Sequence, residues 1–423
     1  MVKNLLLPVG LLLGFYAILF GQELPENELQ VNFSYYFDSF DVNVLYPSIS
    51  LTHKVSETTS ITGRYLVDMI TAASIRGGST LSGNNETEGE EEDDVGEHRF
   101  DNSMSILNTT NNTNRVDAIS AASSRGGGGG GYASLGPSFD DVRNEFNLGL
   151  AQILAGNLIN VNWIYSNERD YTSDTFAGTF SRQFAMKNTT LELGFVRSWD
   201  RVFPVTKDWK RHKNVVTYSA NFSQIISKNA LIQFLTSYTE NNGYLADAYN
   251  QVRIDSANTT VLYDPIHPDN RIRRAAATQV KFRLDKTSSM QLGYRYYWDN
   301  WEVNSHTISA NYMRHLSQYI ILGIDWRSYL QSRAYFFKEI YLQPESLMTT
   351  DIKLDQGNSQ ELQLRLSING GGEQDYLPFL TSEKVQYNIN LNIYHRHTRT
   401  GYWYNGLKDL VATIFNIGFR YRF

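Results

Sequence analysis

The chain has no cysteine, few prolines and, beyond its first twenty residues, no long apolar run. Without cysteine there can be no disulfide framework and no lipid-bearing amino-terminal cysteine. Nine prolines in 423 residues leave long stretches free to pair as strands. A spanning helix needs about 20 consecutive apolar residues, and no later segment supplies them. Basic excess is also missing: the formal net charge is -6 and the pI about 5.8, which gives no footprint for nucleic acid. What is abundant is tyrosine, 27 residues, within 13% aromatics.

The front of the chain reads as an export signal. Lys3 precedes an apolar run from Leu5 to Phe20, and polar sequence begins at Gln22. A short positive region followed by an apolar core of this length predicts a cleaved signal peptide over 1–21. The exported remainder, 22–423, is predicted to be one barrel, since it alternates rather than coils.

At the other end, Val411, Phe415, Ile417, Phe419, Tyr421 and Phe423 fall on one face of an extended segment. Ala412, Asn416, Gly418, Arg420 and Arg422 fall on the other. The pattern recurs. Val385, Tyr387, Ile389, Leu391 and Ile393 oppose Gln386, Asn388, Asn390 and Asn392, and Leu292, Tyr294, Tyr296 and Trp298 oppose Gln291, Gly293, Arg295 and Asp299. A soluble sandwich would turn its apolar face to a core. Here the polar faces carry charges and carboxamides throughout, which suits a wet lumen inside an apolar wall.

About sixteen such segments begin near residues 31, 42, 60, 142, 157, 171, 187, 213, 230, 274, 288, 302, 319, 350, 383 and 409. The fold class predicted is all-β: a transmembrane, antiparallel, up-and-down barrel whose even strand count leaves no unpaired edge in lipid. Short connections at Ala155-Gly156, Lys228-Asn229 and around Lys286 and Leu316 are assigned to the periplasmic side. Long ones at 75–140, 200–212, 246–273, 333–349 and 398–408 are assigned to the outside. The Gly-rich stretch 367–382 breaks that asymmetry and keeps fourteen strands open as an alternative. The 75–140 segment is a low-complexity loop with an acidic run at Glu90–Asp94 and six glycines at Gly126–Gly131. It also repeats the Asp68–Gly78 sequence at Asp117–Gly127, either as a tolerated duplication or as a second copy of a mouth element.

Parity sorts the chemistry. Predicted inward residues include Arg64, Asp68, Arg143, Glu145, Glu168, Arg295, Asp299, Asp325, Arg327 and Arg420. Charges removed from bulk water must be paired or stay solvated. One reading is therefore a salt-bridge network stiffening the wall; the other is a conducting pore with a mild anion preference from its arginines. Ser305 and His306 are adjacent and point to opposite faces, so they cannot act as nucleophile and base, and no Gly-x-Ser-x-Gly elbow occurs. The expectation is a non-enzyme without cofactor. His395-x-His397 places two imidazoles on one face, a weak metal candidate beside the plainer reading of rim histidines at headgroups. Phe419, Tyr421 and Phe423 form the aromatic terminus read by the barrel assembly machinery.

The run Tyr294-Arg295-Tyr296-Tyr297-Trp298-Asp299-Asn300-Trp301, followed by Ser305-His306-Thr307, resembles an uncharacterised family of bacterial outer-membrane barrels carrying a domain of unknown function. Members share the pattern Y-R-Y-Y-x-D-[DN]-W-x-x-x-S-H-T. Three further segments match in order: Leu66-Val67-Asp68 through Ala73-Ser74, Tyr165 through Tyr171, and Gly243 through Tyr249, where Ala248 replaces a usual proline. The resemblance implies an outer-membrane location. It also implies association with small lipoproteins or thioredoxin-like periplasmic proteins, and so service to an extracytoplasmic pathway. The 298–301 stretch is read as a fold-defining hairpin tip, with both tryptophans at headgroup level. The functional expectation is a channel or exporter for small polar solutes; the alternatives are a non-conducting scaffold that docks lipoproteins and a lipid hydrolase.

Overall fold

The computed structural model describes residues 24–39, 42–72, 141–256, 259–371, 382–399 and 408–423. The segment 1–21, read from sequence as a signal peptide, and the 75–140 loop, with its acidic run and duplication, lie outside the described residues.

The barrel strands are β1 (Glu28–Asp38), β2 (Val42–Ser56), β3 (Thr59–Ala72), β4 (Asp141–Leu154), β5 (Asn157–Asn167), β6 (Tyr171–Phe184), β7 (Thr189–Val202), β8 (Arg211–Ser227) and β9 (Ala230–Gly243). They continue with β12 (Asn270–Arg283), β13 (Ser288–Asp299), β14 (Asn304–His315), β15 (Ile320–Gln331), β16 (Gly357–Asn369), β17 (Val385–Thr398) and β18 (Asp409–Arg422). Each pairs antiparallel with its neighbour, β9 with β12, and β18 closes on β1. The sixteen-strand count holds and fourteen is excluded. Two short strands, β10 (Val252–Ser256) and β11 (Thr259–Tyr263), form a separate hairpin inside the β9–β12 connection.

The alternation in sequence becomes two faces. Phe33, Leu51, Phe146, Trp163, Leu193, Tyr218, Leu364 and Ile417 are exposed on the outside, and their sequence neighbours form the inner wall. Large apolar side chains held out in this way demand hydrocarbon, because a monomeric soluble protein rarely exposes a continuous apolar belt.

Turns at one end are tight for identifiable reasons. Ala155 and Gly156 both have positive φ, 50° and 76°, the backbone a two-residue hairpin prefers. In the β12–β13 turn, the Asp285 carboxylate accepts from the Thr287 and Ser288 amides at 2.6 and 2.8 Å and from the Ser288 hydroxyl. Those bonds, the Ser288 hydroxyl first, hold its pKa well below the carboxylate range.

Two details differ from the sequence reading, and one exception that it noted holds. The strand expected near 350 begins at Gly357, because Thr349, Thr350 and Asp351 belong to a folded loop. The long connection between β16 and β17 does sit at the short-turn end. Conversely, three connections at the long-loop end are brief, those following Asp38, Asn167 and Asp299.

Candidate functional site

The four sequence segments that carried the family resemblance come together at the long-loop mouth. Asp299, ending β13, is the best-connected group there. One carboxylate oxygen accepts from Arg271 Nε at 2.8 Å, Arg271 Nη2 at 2.7 Å and the Tyr297 hydroxyl at 2.7 Å. The other accepts from the amides of Trp301 and Val303, both at 2.9 Å. A carboxylate so supplied costs little to bury. The Arg271 guanidinium lies 4.4 Å from the Trp301 ring centroid, and the Trp301 indole donates to the Asn270 carbonyl at 3.0 Å.

Trp301 does not reach the headgroup level. It is 2% exposed and packs inward with Tyr297, Val303, Ala334, Phe336, Phe337 and Leu354. The reason is the β15–β16 connection, 332–356, which bends back over the mouth and offers an aromatic surface larger than any headgroup contact. Trp298, on the outer face against Tyr296, remains a girdle residue. Tyr294 is also outward and accepts or donates with His306 at 2.8 Å, whereas Ser305 is buried on the inner face.

The β9–β12 connection, 244–269, forms the other half of the cover. Gly243 begins it with φ of +113°, and a Cβ there would lie 2.1 Å from the His212 carbonyl oxygen. The glycine of this motif is therefore a steric requirement. Asp247 then caps the turn, accepting from the amides of Tyr249 and Asn250 at 2.8 and 3.3 Å. The Tyr249 hydroxyl donates to Asp170, from the second motif, and accepts from the Val205 amide at 3.1 Å. His267 packs edge-on against Trp301, 5.4 Å between centroids. The two connections are joined by backbone bonds between Ile266 and Met348 and by the Thr350 hydroxyl, which donates to Asn250 and Gln251. Tyr341, 1% exposed, accepts from the Thr349 amide at 2.9 Å and donates toward the Phe336 and Thr349 carbonyls. Burial raises the Tyr341 pKa. Burial also pushes the Asp247 carboxyl up to about 7; the Asp351 charge adds to this, while the Tyr249 amide and Lys353 oppose it.

The inner charges are mostly paired. Arg143 meets Asp68 at 2.5 Å and Glu168 at 3.7 Å; Arg327 meets Glu361 at 2.9 Å; Arg365 meets Asp325 at 2.6 Å; Arg420 meets Glu28 at 3.5 Å. Arg64 and Glu145 act on Asp68 through space, and Arg295 lies 5.7 Å from the Tyr297 ring. The arginine excess that suggested an anion preference is therefore largely offset by carboxylates. Among the described residues no group of His, Cys, Asp or Glu is arranged to hold a metal ion. His395 and His397 share Asp409 at 3.3 and 2.6 Å on the outer face. Phe419 packs on Tyr387, Tyr421 stacks with Phe423, and Phe423 stacks with His53, binding the last strand to its neighbours.

Sequence reasoning missed two features. One is a hydroxyl network in which Ser173 and Ser198 donate to Asp200 at 2.7 and 2.5 Å, with Lys213 at 3.9 Å. The other is a belt of neutral side chains running strand to strand on the inner wall: Asn390 to Asn416 to Ser34, Gln291 to Gln279, Gln233 to Ser223, Asn160 to Thr179, and Thr52 with Thr62. The inward parity of these carboxamides was visible; their mutual bonding needed the register.

Among solved structures, the chain is similar to the siderophore receptor PirA from Pseudomonas aeruginosa at 7% identity and a TM-score of 0.43, covering 93% of this chain and 62% of that one. The chain thus spans less than two thirds of that receptor's length. It is also similar to a bacterial polysaccharide outer membrane secretin (6% identity, TM-score 0.46, 95% of this chain and 100% of that). A third is OpdK from Pseudomonas aeruginosa with vanillate (9% identity, TM-score 0.41, 94% and 98%). Similarity this low transfers no ligand or role. No curated protein matches the chain. Residues 19–377 match the family described as "Protein of unknown function (DUF3570)", and the chain belongs to that family.

Proposed function

We propose that the protein is a non-enzymatic channel of the bacterial outer membrane that passes small, polar, largely uncharged solutes. In this reading the long-loop end faces outward and the short turns face the periplasm. The observation that carries it is the state of the inner wall at mid-barrel. The side chains of Arg327, Glu361, Asp325 and Arg365 keep 17–28% of their surface open although they face the barrel interior. Sixteen strands enclose more space than side chains fill, so these groups border water. Opposite charges alternate along that wall and neutral carboxamides complete it, which favours hydroxyl- or amide-bearing solutes over ions of one sign.

Reconstitution into planar bilayers, paired with swelling of vesicles loaded with sugars of increasing size, tests the proposal. Stable conductance steps with weak ion preference and size-limited sugar entry are expected. Folded protein that gives neither defeats it.

A second reading rests on the aromatic cover at the mouth. If the Phe336–Trp301 packing closes the lumen, the barrel is a scaffold for partner lipoproteins or thioredoxin-like proteins of an extracytoplasmic pathway. Deleting 335–348 separates the two readings: conductance that appears only after deletion supports a closed barrel, and conductance present beforehand supports the channel.

A further inference from the structure

The chain is acidic overall, yet residues 197–213, the tip of the β7–β8 hairpin, reverse that sign. Arg197, Arg201, Lys207, Lys210, Arg211 and Lys213 stand there against Asp200 and Asp208 alone. Two of the cations are neutralised, Lys207 by Asp264 at 2.6 Å and Lys213 more loosely by Asp200 at 3.9 Å. Arg197 and Arg201 are different. They share the lipid-facing parity of Leu193 and Trp199, and no carboxylate among the described residues is in ion-pair range of either.

Their neighbours on the wall are set by register. Phe195, Tyr218, Tyr238, Arg274 and Trp298 are successive partners across β7, β8, β9, β12 and β13. This row is an aromatic girdle, and girdles mark the boundary between hydrocarbon and headgroups. Arg274 lies within the row, 5.7 Å from the Tyr238 ring centroid. Arg197 sits one same-face step beyond it, 5.1 Å from the Trp199 ring, and Arg201, opposite His212, lies two steps further out. Aromatic faces hold the guanidinium groups in place without neutralising them. The nearest outward carboxylates are Asp174, the register partner of Trp199, and Glu240, which accepts from Asn242 at 2.8 Å. Neither pairs with Arg197, Arg201 or Arg274.

A cation held at the membrane face without a partner is costly unless the lipid supplies the anion. From Arg197 to Arg274 is three interstrand spacings, about 14 Å, too wide for one phosphate. We propose that this outer face of β7–β12 is a binding site for a glycolipid headgroup carrying two separated phosphates, drawn from the leaflet at the long-loop end. Arg197 and Arg274 each hold one phosphate through charge-assisted bonds from their guanidinium forks, and Arg201, about 13 Å beyond Arg197 along the same strand, adds a further cation to the headgroup's polar side.

Native mass spectrometry of the detergent-solubilised full chain, titrated with bisphosphorylated lipid A, tests the site. Each arginine near a membrane surface contributes roughly a fivefold factor, so the Arg197→Gln, Arg201→Gln, Arg274→Gln triple variant should bind about a hundredfold more weakly. Dephosphorylated lipid A should bind the native protein as weakly as lipid A binds the variant. Arg314→Gln, outward at the opposite end, should change nothing. Heat-modifiable migration on gels reports folding of each variant, and Arg201→Gln alone, an exposed position, should still cost about fivefold. Equal binding by the triple variant, equal binding of phosphatidylglycerol, or displacement by inorganic phosphate at matched concentration would each overturn the proposal.

Discussion

The mid-barrel wall and the long-loop mouth are built from the same alternating pattern and handle polar groups differently. At mid-barrel, Arg327, Glu361, Asp325 and Arg365 pair while remaining open to solvent. At the long-loop mouth, Arg271 and Asp299 keep 3% and 0% of their side-chain surface, and Asp299 accepts from Arg271, Tyr297, Trp301 and Val303. Water can compensate a poorly placed charge in the first region and not in the second. The consequence is that the mouth needs specific partners supplied by loops, whereas the mid-barrel wall needs only polar residues at the right parity. The segments that carried the resemblance concentrate where water cannot substitute for a partner.

The sharpest way to break this comparison is to remove a charge from the buried end. Asp299→Ala removes the carboxylate that Arg271 and two loop amides share, and should cost about 3–5 kcal/mol, read as a lowered urea midpoint in micelles. A loss below 1 kcal/mol would mean that water reaches the mouth after all. Next in size is Tyr341→Phe, which leaves the buried Thr349 amide without its acceptor. About 1–3 kcal/mol is expected, seen as faster proteolysis confined to 332–356.

Acidity should act on the cover through Asp247. Its folded pKa, about 7, lies above the ordinary 3.8, so the folded cover holds a proton that the opened one releases. Stability is full below about pH 4 and falls as pH rises through 7. Asp247→Asn should flatten that dependence, measured by hydrogen exchange of the Tyr249 and Asn250 amides; an unchanged pH profile in the variant would remove Asp247 as the cause. The smallest effect belongs to the open wall. Glu361→Gln should alter stability by at most about 1 kcal/mol while shifting reversal potentials toward anions, because one negative charge leaves the wall beside Arg327. No shift would place that pair outside the conducting path.

Much of the barrel was legible because alternation is local. Phe415 and Asn416 declare opposite faces without reference to any other strand, so strand count, closure and the inward set follow from reading each segment alone. Asp299 was recognisable as a turn residue. Its partner Arg271 was not, being 28 positions away with the same parity as many other inward arginines. The Trp301 assignment failed for a related reason: nothing within 298–301 distinguishes an interface tryptophan from one covered by a loop that begins at residue 332. The strand start near 350 was misplaced because Asp351–Asp355, with Ile352 and Leu354 against Lys353, alternates like a wall segment but forms a single 3-10 turn in a loop tied to Asn250.

What the chain alone determined is the membrane wall: which side chains meet hydrocarbon, which meet the interior, and how many strands close the cylinder. Only the tertiary structure decided that β9–β12 and β15–β16 fold together over one mouth, that lumen arginines are matched by carboxylates, and that outward arginines align beside a girdle. Facing direction depends on a two-residue period that any strand carries within itself. Partnership between loops and across strands depends on register and chain return, which bring together residues 79 or 100 positions apart, as with Asp170 and Tyr249 or Asn250 and Thr350.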